Sequence, residues 1–182
     1  MSARFGLLLE EMMASPNTVD AMDPALKERI GAAIGRMASG VYIINVEDAS
    51  GREGMLATWV TQAAFSPPML TITVNNARPI LSRLQKGAKA TLNVLGKTNS
   101  DIFKNFVKPH TEGLDRFEGL ELVENEGFPP SFAGCISSMM LEVTNVVDAG
   151  DHKIIVGEVK DGRMLNKDLE PMTHFRKDGF QY

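Results

Sequence analysis

The sequence predicts a mainly β fold, a barrel with peripheral helices, and three observations carry that expectation. Short runs rich in Val, Ile, Leu and Thr recur along the chain, separated by Gly, Asn, Asp and Pro. Helical periodicity is confined to short stretches between them. The 182 residues, 43% of them hydrophobic, suffice for one domain with a core of its own. Strands do not alternate regularly with helices as a doubly wound sheet requires, so antiparallel pairing is expected.

The chain opens with RFGLLLEEMM, an apolar run broken at once by Glu10 and Glu11 and followed by no small-residue cleavage site, so no secretory signal is read there. Ser15 to Pro24 is rich in turn formers and reads as a connector. Residues 1–24 are therefore expected to be a leader and connector, and 25–182 the barrel domain. Asp23 and Pro24 supply an N-cap and a first helical residue. The helix they start carries Leu26, Ile30, Ala33, Ile34 and Met37 and is expected to end at Gly40.

The pattern then turns to β. VYIINV precedes a turn at Asp48 to Gly51, GMLATWVTQ reads as one strand-like segment, and MLTITVNN places Leu70, Ile72 and Val74 on one face. Pro79 to Gln85 suits a short helix and ATLNVL a strand. Asp101 to Val107 reads as a helix closed by Pro109. His110 to Phe128, with Asp115-Arg116-Phe117 inside it, reads as a surface loop or subunit contact. CISSMMLEVTNVV and KIIVGEVKDGRML are the last long strands, joined by a tight turn at Gly150-Asp151-His152.

Charge and cysteine content exclude several functions. A formal net charge of -4, a pI near 5.4 and scattered basic residues argue against nucleic-acid binding. No run approaches the roughly 20 apolar residues of a membrane span, so a cytoplasmic protein with no membrane partner is expected. The single Cys135 cannot form an internal disulfide, lacks a resolving partner, and reads as a packing residue in a reducing compartment. No Cys/His cluster has metal-ligand spacing, so no metal is expected.

Two segments carry chemistry. GMLATWVTQAAFSPP, from Gly54 to Pro68, combines small residues, two Thr and the only Trp, a composition suited to backbone lying against a flat ring. Ala57, Thr58, Trp59, Val60, Thr61 and Gln62 form its candidate ring-reading edge. A phosphate tail needs charge-assisted donors. Arg78 and Ser82 lie four apart and would share a helix face whose N-terminus favours an anion, with Thr58 and Thr61 adding hydroxyls. His152 is the candidate for a second ligand, and His110 and His174 are weaker ones. No P-loop or Gly-x-Gly-x-x-Gly run competes.

GRMASGVYI, GMLATWVTQAAFSPP, ARPILSRL, LNVL, FVKPHTEGLDRFEGL, GDH and HFRKDGFQY, in this order from about Ile30 to Tyr182, resemble the flavin reductase-like family. They look particularly like the flavin reductase module at the C-terminal end of cyanobacterial flavodiiron proteins. The resemblance implies an FMN-binding split β-barrel, homodimeric, with FMN near the subunit interface and NADH or NADPH as hydride donor. It implies that Ala57 to Gln62 line the flavin, that Asn75, Arg78 and Ser82 hold its ribityl phosphate end, and that His152 faces the nicotinamide. Reduced flavin would pass electrons to free flavin, an electron-acceptor protein or oxygen. The rival reading is a non-enzymatic FMN electron carrier on the same barrel. Trp59 and Gln62 stand where many family members carry small hydroxyl residues. No region resembles the diiron and flavodoxin portions of a flavodiiron protein, so a stand-alone relative or a separated module is expected.

Overall fold

The alternating runs fold into a seven-stranded antiparallel sheet in the computed structural model, which describes residues 19–107 and 113–181. The RFGLLLEEMM run, Pro109 and His110 lie outside the described residues. In chain order the strands are β1 (Ser39–Gly40), β2 (Tyr42–Asp48), β3 (Gly51–Ala57), β4 (Val60–Phe65), β5 (Pro68–Asn75), β6 (Lys89–Val94), β7 (Leu122–Asn125), β8 (Phe128–Phe132), β9 (Ser137–Ala149), β10 (His152–Met164) and β11 (Thr173–His174). Among the described residues, two α-helices, α1 (Pro24–Ile34) and α2 (Ser100–Val107), and 3-10 turns at Val19–Ala21 and Pro79–Arg83 accompany them. Two compact units result, one of residues up to Ala38 together with Phe175 onward, the other Ser39–His174.

The first unit follows the sequence signals until the helix ends. Asp23 Oδ1 accepts the Leu26 N–H at 3.0 Å, and Pro24 opens α1. The end lies at Gly35, short of Met37 and of the expected Gly40. The Gly35 carbonyl accepts the Arg176 N–H at 3.2 Å, so the acceptor that a further turn would use is already engaged.

In the second unit the sheet order is β3-β2-β6-β9-β10-β5-β4. GMLATWVTQ is therefore two strands: β3 and β4 sit at opposite ends of the order although only Thr58 and Trp59 separate them. Seven flat strands would hold their outer members about 29 Å apart. Three Cα steps reach only about 11 Å, so the sheet must roll until its ends approach. Its inner face packs Ile44, Val46, Ile72, Val74, Leu92, Leu141 and Ile155 against Ile80, Leu81 and Leu84 of the segment after β5.

Both faces of β2 and β6 are buried. On the other face Ile43 of β2, with Val41 just before it and Leu95 just after β6, meets Ile102 and Phe106 of α2, with Phe117 and Phe132. Phe117, expected at a surface loop, is only 6% exposed and lies 5.3 Å from Phe106 and 5.5 Å from Phe132 between ring centroids. Its loop is anchored by core packing. Gly54 is small for the same reason, since a Cβ there would approach Phe106 Cε1 to 2.5 Å.

The hairpin β7–β8 was not expected, because Pro129 and Pro130 argue against a strand. Lacking N–H groups, the two prolines offer only carbonyls, and buried side chains take them. Asn45 Nδ2 donates to Pro130 O at 2.6 Å, Asn125 Nδ2 to Pro129 O at 2.8 Å, and Thr91 also donates to Pro129 O. Asn93 ties the network together: its Nδ2 donates to Asn45 Oδ1 at 2.6 Å, while its Oδ1 accepts the Phe132 N–H at 3.1 Å. Asn93→Ala should therefore orphan buried groups on two strands and lower stability toward the upper end of about 1–3 kcal/mol. Urea unfolding should show a lower midpoint at unchanged slope, and an unaltered midpoint would remove Asn93 from this role.

Candidate functional site

The seam of the barrel gathers the unusual side chains. Thr58 and Trp59 connect its two ends, and the Trp59 carbonyl accepts the Thr73 N–H of β5 at 2.9 Å, fixing the crossover. β5 pairs with β10 so that Asn75 faces His152, and β9 places Ala149 on its other side. His152 is thus the first residue of a strand rather than part of the turn. Its ring lies 4.8 Å from that of Trp59, tilted by 34°.

The hairpin turn before His152 depends on Gly150, whose φ of +68° is readily adopted only without a Cβ. Asn76 holds this turn through its N–H to Asp151 O at 3.0 Å and its Nδ2 to Gly150 O at 3.2 Å. The Asp151 carboxylate in turn lies 2.7 Å from His152 Nδ1, and this hydrogen bond holds its carboxyl below the usual range. His152 is 8% exposed, and its Nε2 is buried without a hydrogen-bond partner among the described residues; Thr58 Oγ1 is the same. Two orphaned buried polar atoms are a standing cost unless something else bonds them.

The other expected ring residues divide. Ala57 and Val60 turn their side chains to the barrel core. Thr61 and Gln62 are exposed on β4, an edge strand paired only with β5 in the seven-stranded sheet. A register shift between Gln62 and Ala64 bends this edge. Of this stretch, Ala57 and Val60 thus have side chains that serve the core, while Thr61 and Gln62 carry theirs on the exposed edge.

Arg78 and Ser82 border one surface hollow of about 520 Å³ with Asn76, Gln85 and Lys153. Their expected shared helix face does not exist. The segment Pro79–Arg83 is a single 3-10 turn, in which residues three apart eclipse, and Arg78 precedes it in extended conformation. Five residues give no helix-dipole site. Instead, Asn75 Oδ1 accepts the Ala77 N–H at 2.9 Å and Asn75 O the Arg78 N–H at 3.0 Å, so Asn75 shapes the turn that presents Arg78. Ser82 Oγ donates to Pro79 O at 2.9 Å.

Three contributors were missed in the sequence. Arg83 anchors the 3-10 turn to the β2–β3 hairpin, donating to Asp48 at 2.8 Å and Gly51 O at 2.6 Å, with Glu53 3.5 Å away. Its position beside Ser82 was visible, but its acidic partners lie some 30 residues upstream. Lys153 joins the Arg78 hollow from β10 and pairs with Asp148. Arg116 was assigned to a surface loop. Burial first, and the charge of Arg78 second, lower its guanidinium below the ordinary range against the opposing pull of Glu53. Arg116 borders a different hollow, with Gly54, Asp115 and Phe117, from the one that Arg78 borders.

His174 is remote from these groups in sequence pairing, lying in β11 opposite Ser39 of β1. Among the described residues no cluster of His, Cys, Asp or Glu could hold a metal ion, and no helix is long and apolar enough to cross a membrane.

Residues 34–181 match the family model described as flavin reductase like domain. The chain is 33% identical over 159 residues to diflavin flavoprotein A 1 of Synechocystis sp., covering 87% of this chain but 28% of that protein. It thus spans under a third of that relative's length. Among solved structures, the NADH:FAD oxidoreductase of Streptomyces globisporus is 25% identical with a TM-score of 0.73, covering 87% of this chain and 93% of that one. The flavin reductase PheA2 is 25% identical with a TM-score of 0.70, covering 85% and 94%. These matches agree with the expected split barrel and with the mainly β topology described above.

Cys135 stands apart from the site. It is fully buried and donates to Ser137 O at 3.3 Å, and burial pushes its thiol up to about 12. At pH 7 to 9 it should therefore stay protonated and resist thiol-specific disulfide reagents in the folded protein, reacting only once denaturant is added. Rapid labelling of the native chain would overturn that assignment.

Proposed function

The chain belongs to the flavin reductase-like family, and from that premise we propose that it is an FMN-binding flavin reductase that takes hydride from NADH or NADPH and passes electrons onward from reduced flavin. The observation that carries this reading is the pair of buried atoms without partners among the described residues, Thr58 Oγ1 and His152 Nε2, with the Trp59 ring beside His152 at the barrel seam. A heteroaromatic ligand with polar edges suits such a place. When bound, FMN supplies the hydride chemistry.

The residues of this chain supply binding and orientation. Thr58 offers a hydroxyl, and the outer edge of β4 offers backbone groups to the polar rim of a ring. Trp59 covers His152 and limits water around its Nε2. Arg78 takes the phosphate end, with Ser82 beside it and Arg116 adding to the positive field. His152 positions the nicotinamide, so that the reacting carbon and the flavin are held together rather than meeting by chance.

An anaerobic titration tests the reading against a simple electron carrier. The FMN-loaded chain should bleach on addition of stoichiometric NADH or NADPH, whereas a carrier would keep its oxidised spectrum with both. Arg78→Ala should weaken FMN by about 1.5–3 kcal/mol, the range for a hydrogen bond to a charged group, and leave riboflavin nearly unaffected. Fluorescence titration of both ligands measures this directly; equal losses would take Arg78 out of the phosphate site.

A further inference from the structure

The chain contains two Asp-Gly pairs, Asp161-Gly162 and Asp178-Gly179, and the fold treats them in opposite ways. Asp161 and Gly162 are exposed on β10, and Asp161 Oδ1 accepts the N–H of Gly162 itself at 2.8 Å. The carboxyl carbon, one bond beyond that oxygen, is thereby kept beside the amide nitrogen, the approach that closure of a five-membered ring requires. Glycine has no Cβ to shield that nitrogen. Asp178 and Gly179 are half-buried in the other unit. There the Gly179 N–H donates to Gly31 O at 2.7 Å, and Asp178 Oδ1 is turned to the Phe180 N–H at 2.9 Å. Asn145 repeats the Asp161 arrangement, accepting the Val146 N–H at 2.9 Å, but the β-branched side chain of Val146 crowds its own nitrogen.

We propose that Asp161-Gly162 is a site of spontaneous backbone modification, at which Asp161 converts to isoaspartate in the folded protein. The Gly162 nitrogen attacks Cγ of Asp161 in its acid form, the carboxyl hydroxyl leaves with the amide proton as water, and a cyclic imide results. Water then opens the imide. Opening at the former side-chain carbonyl restores aspartate. Opening at the former main-chain carbonyl leaves the chain running through the side-chain carbon, with the carboxylate on Cα. Nothing is oxidised or reduced, and water is the only co-reactant. The surroundings suit the change. Beyond Glu158, β10 pairs with β9 alone among the described residues, and the register shifts between Val159 and Asp161, so the ladder already accommodates an extra residue there. An isoaspartate lengthens the backbone by one carbon at the same place. The site lies toward the end of β10 opposite to His152, and the modification does not depend on the flavin reading.

The test ages the full folded chain in neutral buffer, and the same chain unfolded in guanidinium chloride, then cleaves both after glutamate. Cleavage separates residues 159–170, which hold Asp161-Gly162, from residues 171–182, which hold Asp178-Gly179. Isoaspartate is read as a peptide of unchanged mass and altered retention, and by methyl transfer from S-adenosylmethionine with an isoaspartate-specific methyltransferase. In denaturant the two peptides should convert at similar rates, because the reacting pair is the same. In the folded chain 159–170 should convert at least about tenfold faster than 171–182, the effect of roughly 1.4 kcal/mol in the barrier. Gly162→Ala should slow the conversion, and it should fold, since the added Cβ would approach only Ser138 O, at 3.9 Å. Asp161→Asn, whose side-chain amide leaves as ammonia in the same ring closure, should convert faster than wild type and register as a gain in mass. Equal rates for the two peptides in the folded chain, conversion of 159–170 in denaturant only, or an unslowed Gly162→Ala would overturn the proposal.

Discussion

The two-residue link Thr58–Trp59 is the constraint on which the rest of this structure depends. It joins strands at opposite ends of a seven-stranded order, and no flat arrangement can satisfy it. Closure fixes where β5 and β10 run relative to the link, and their register brings Asn75, His152 and Trp59 together. The site is therefore a by-product of closing the sheet. Thr58 and Trp59 sit where the backbone leaves β3 and has not yet entered β4, beside the strand ends that carry Asn75 and His152.

The outer face of the sheet is held by a different kind of interaction. Apolar packing from α2 and Phe117 covers one part, while a network centred on Asn93 fastens a proline-bearing hairpin over the other. Hydrophobic packing tolerates small shifts, but a satisfied buried amide accepts only one geometry. This division suits a scaffold in which β2 and β6 must stay in register with the strands that carry the seam.

Much of the fold was legible in the sequence because alternation is a local property. β2, β5, β6, β9 and β10 fall within a few residues of the runs that predicted them, and Ile72 and Val74 are buried as their spacing implied. The break at Thr58 was not legible, since its cause is the order of strands, which no window of the sequence contains. β8 was hidden by prolines whose missing donors are excused by side chains far away. The expected helical face of Arg78 and Ser82 failed because a proline can open a 3-10 turn as well as an α-helix. Around the candidate site, the sequence did not show that Ala57 and Val60 also serve the core, that Asn75 shapes a turn, or that Arg83 and Arg116 meet partners distant in sequence.

The burial of β2 and β6 on both faces also divides the barrel by its resistance to local opening. Amides at the centre of the sheet can exchange with solvent only when packing on two sides is lost, so their protection follows global unfolding. β3 and β4, at the ends of the order, need only part with one neighbour each. The Thr58–Trp59 link thus joins the two strands that open most cheaply, beside a centre that opens only with the barrel as a whole.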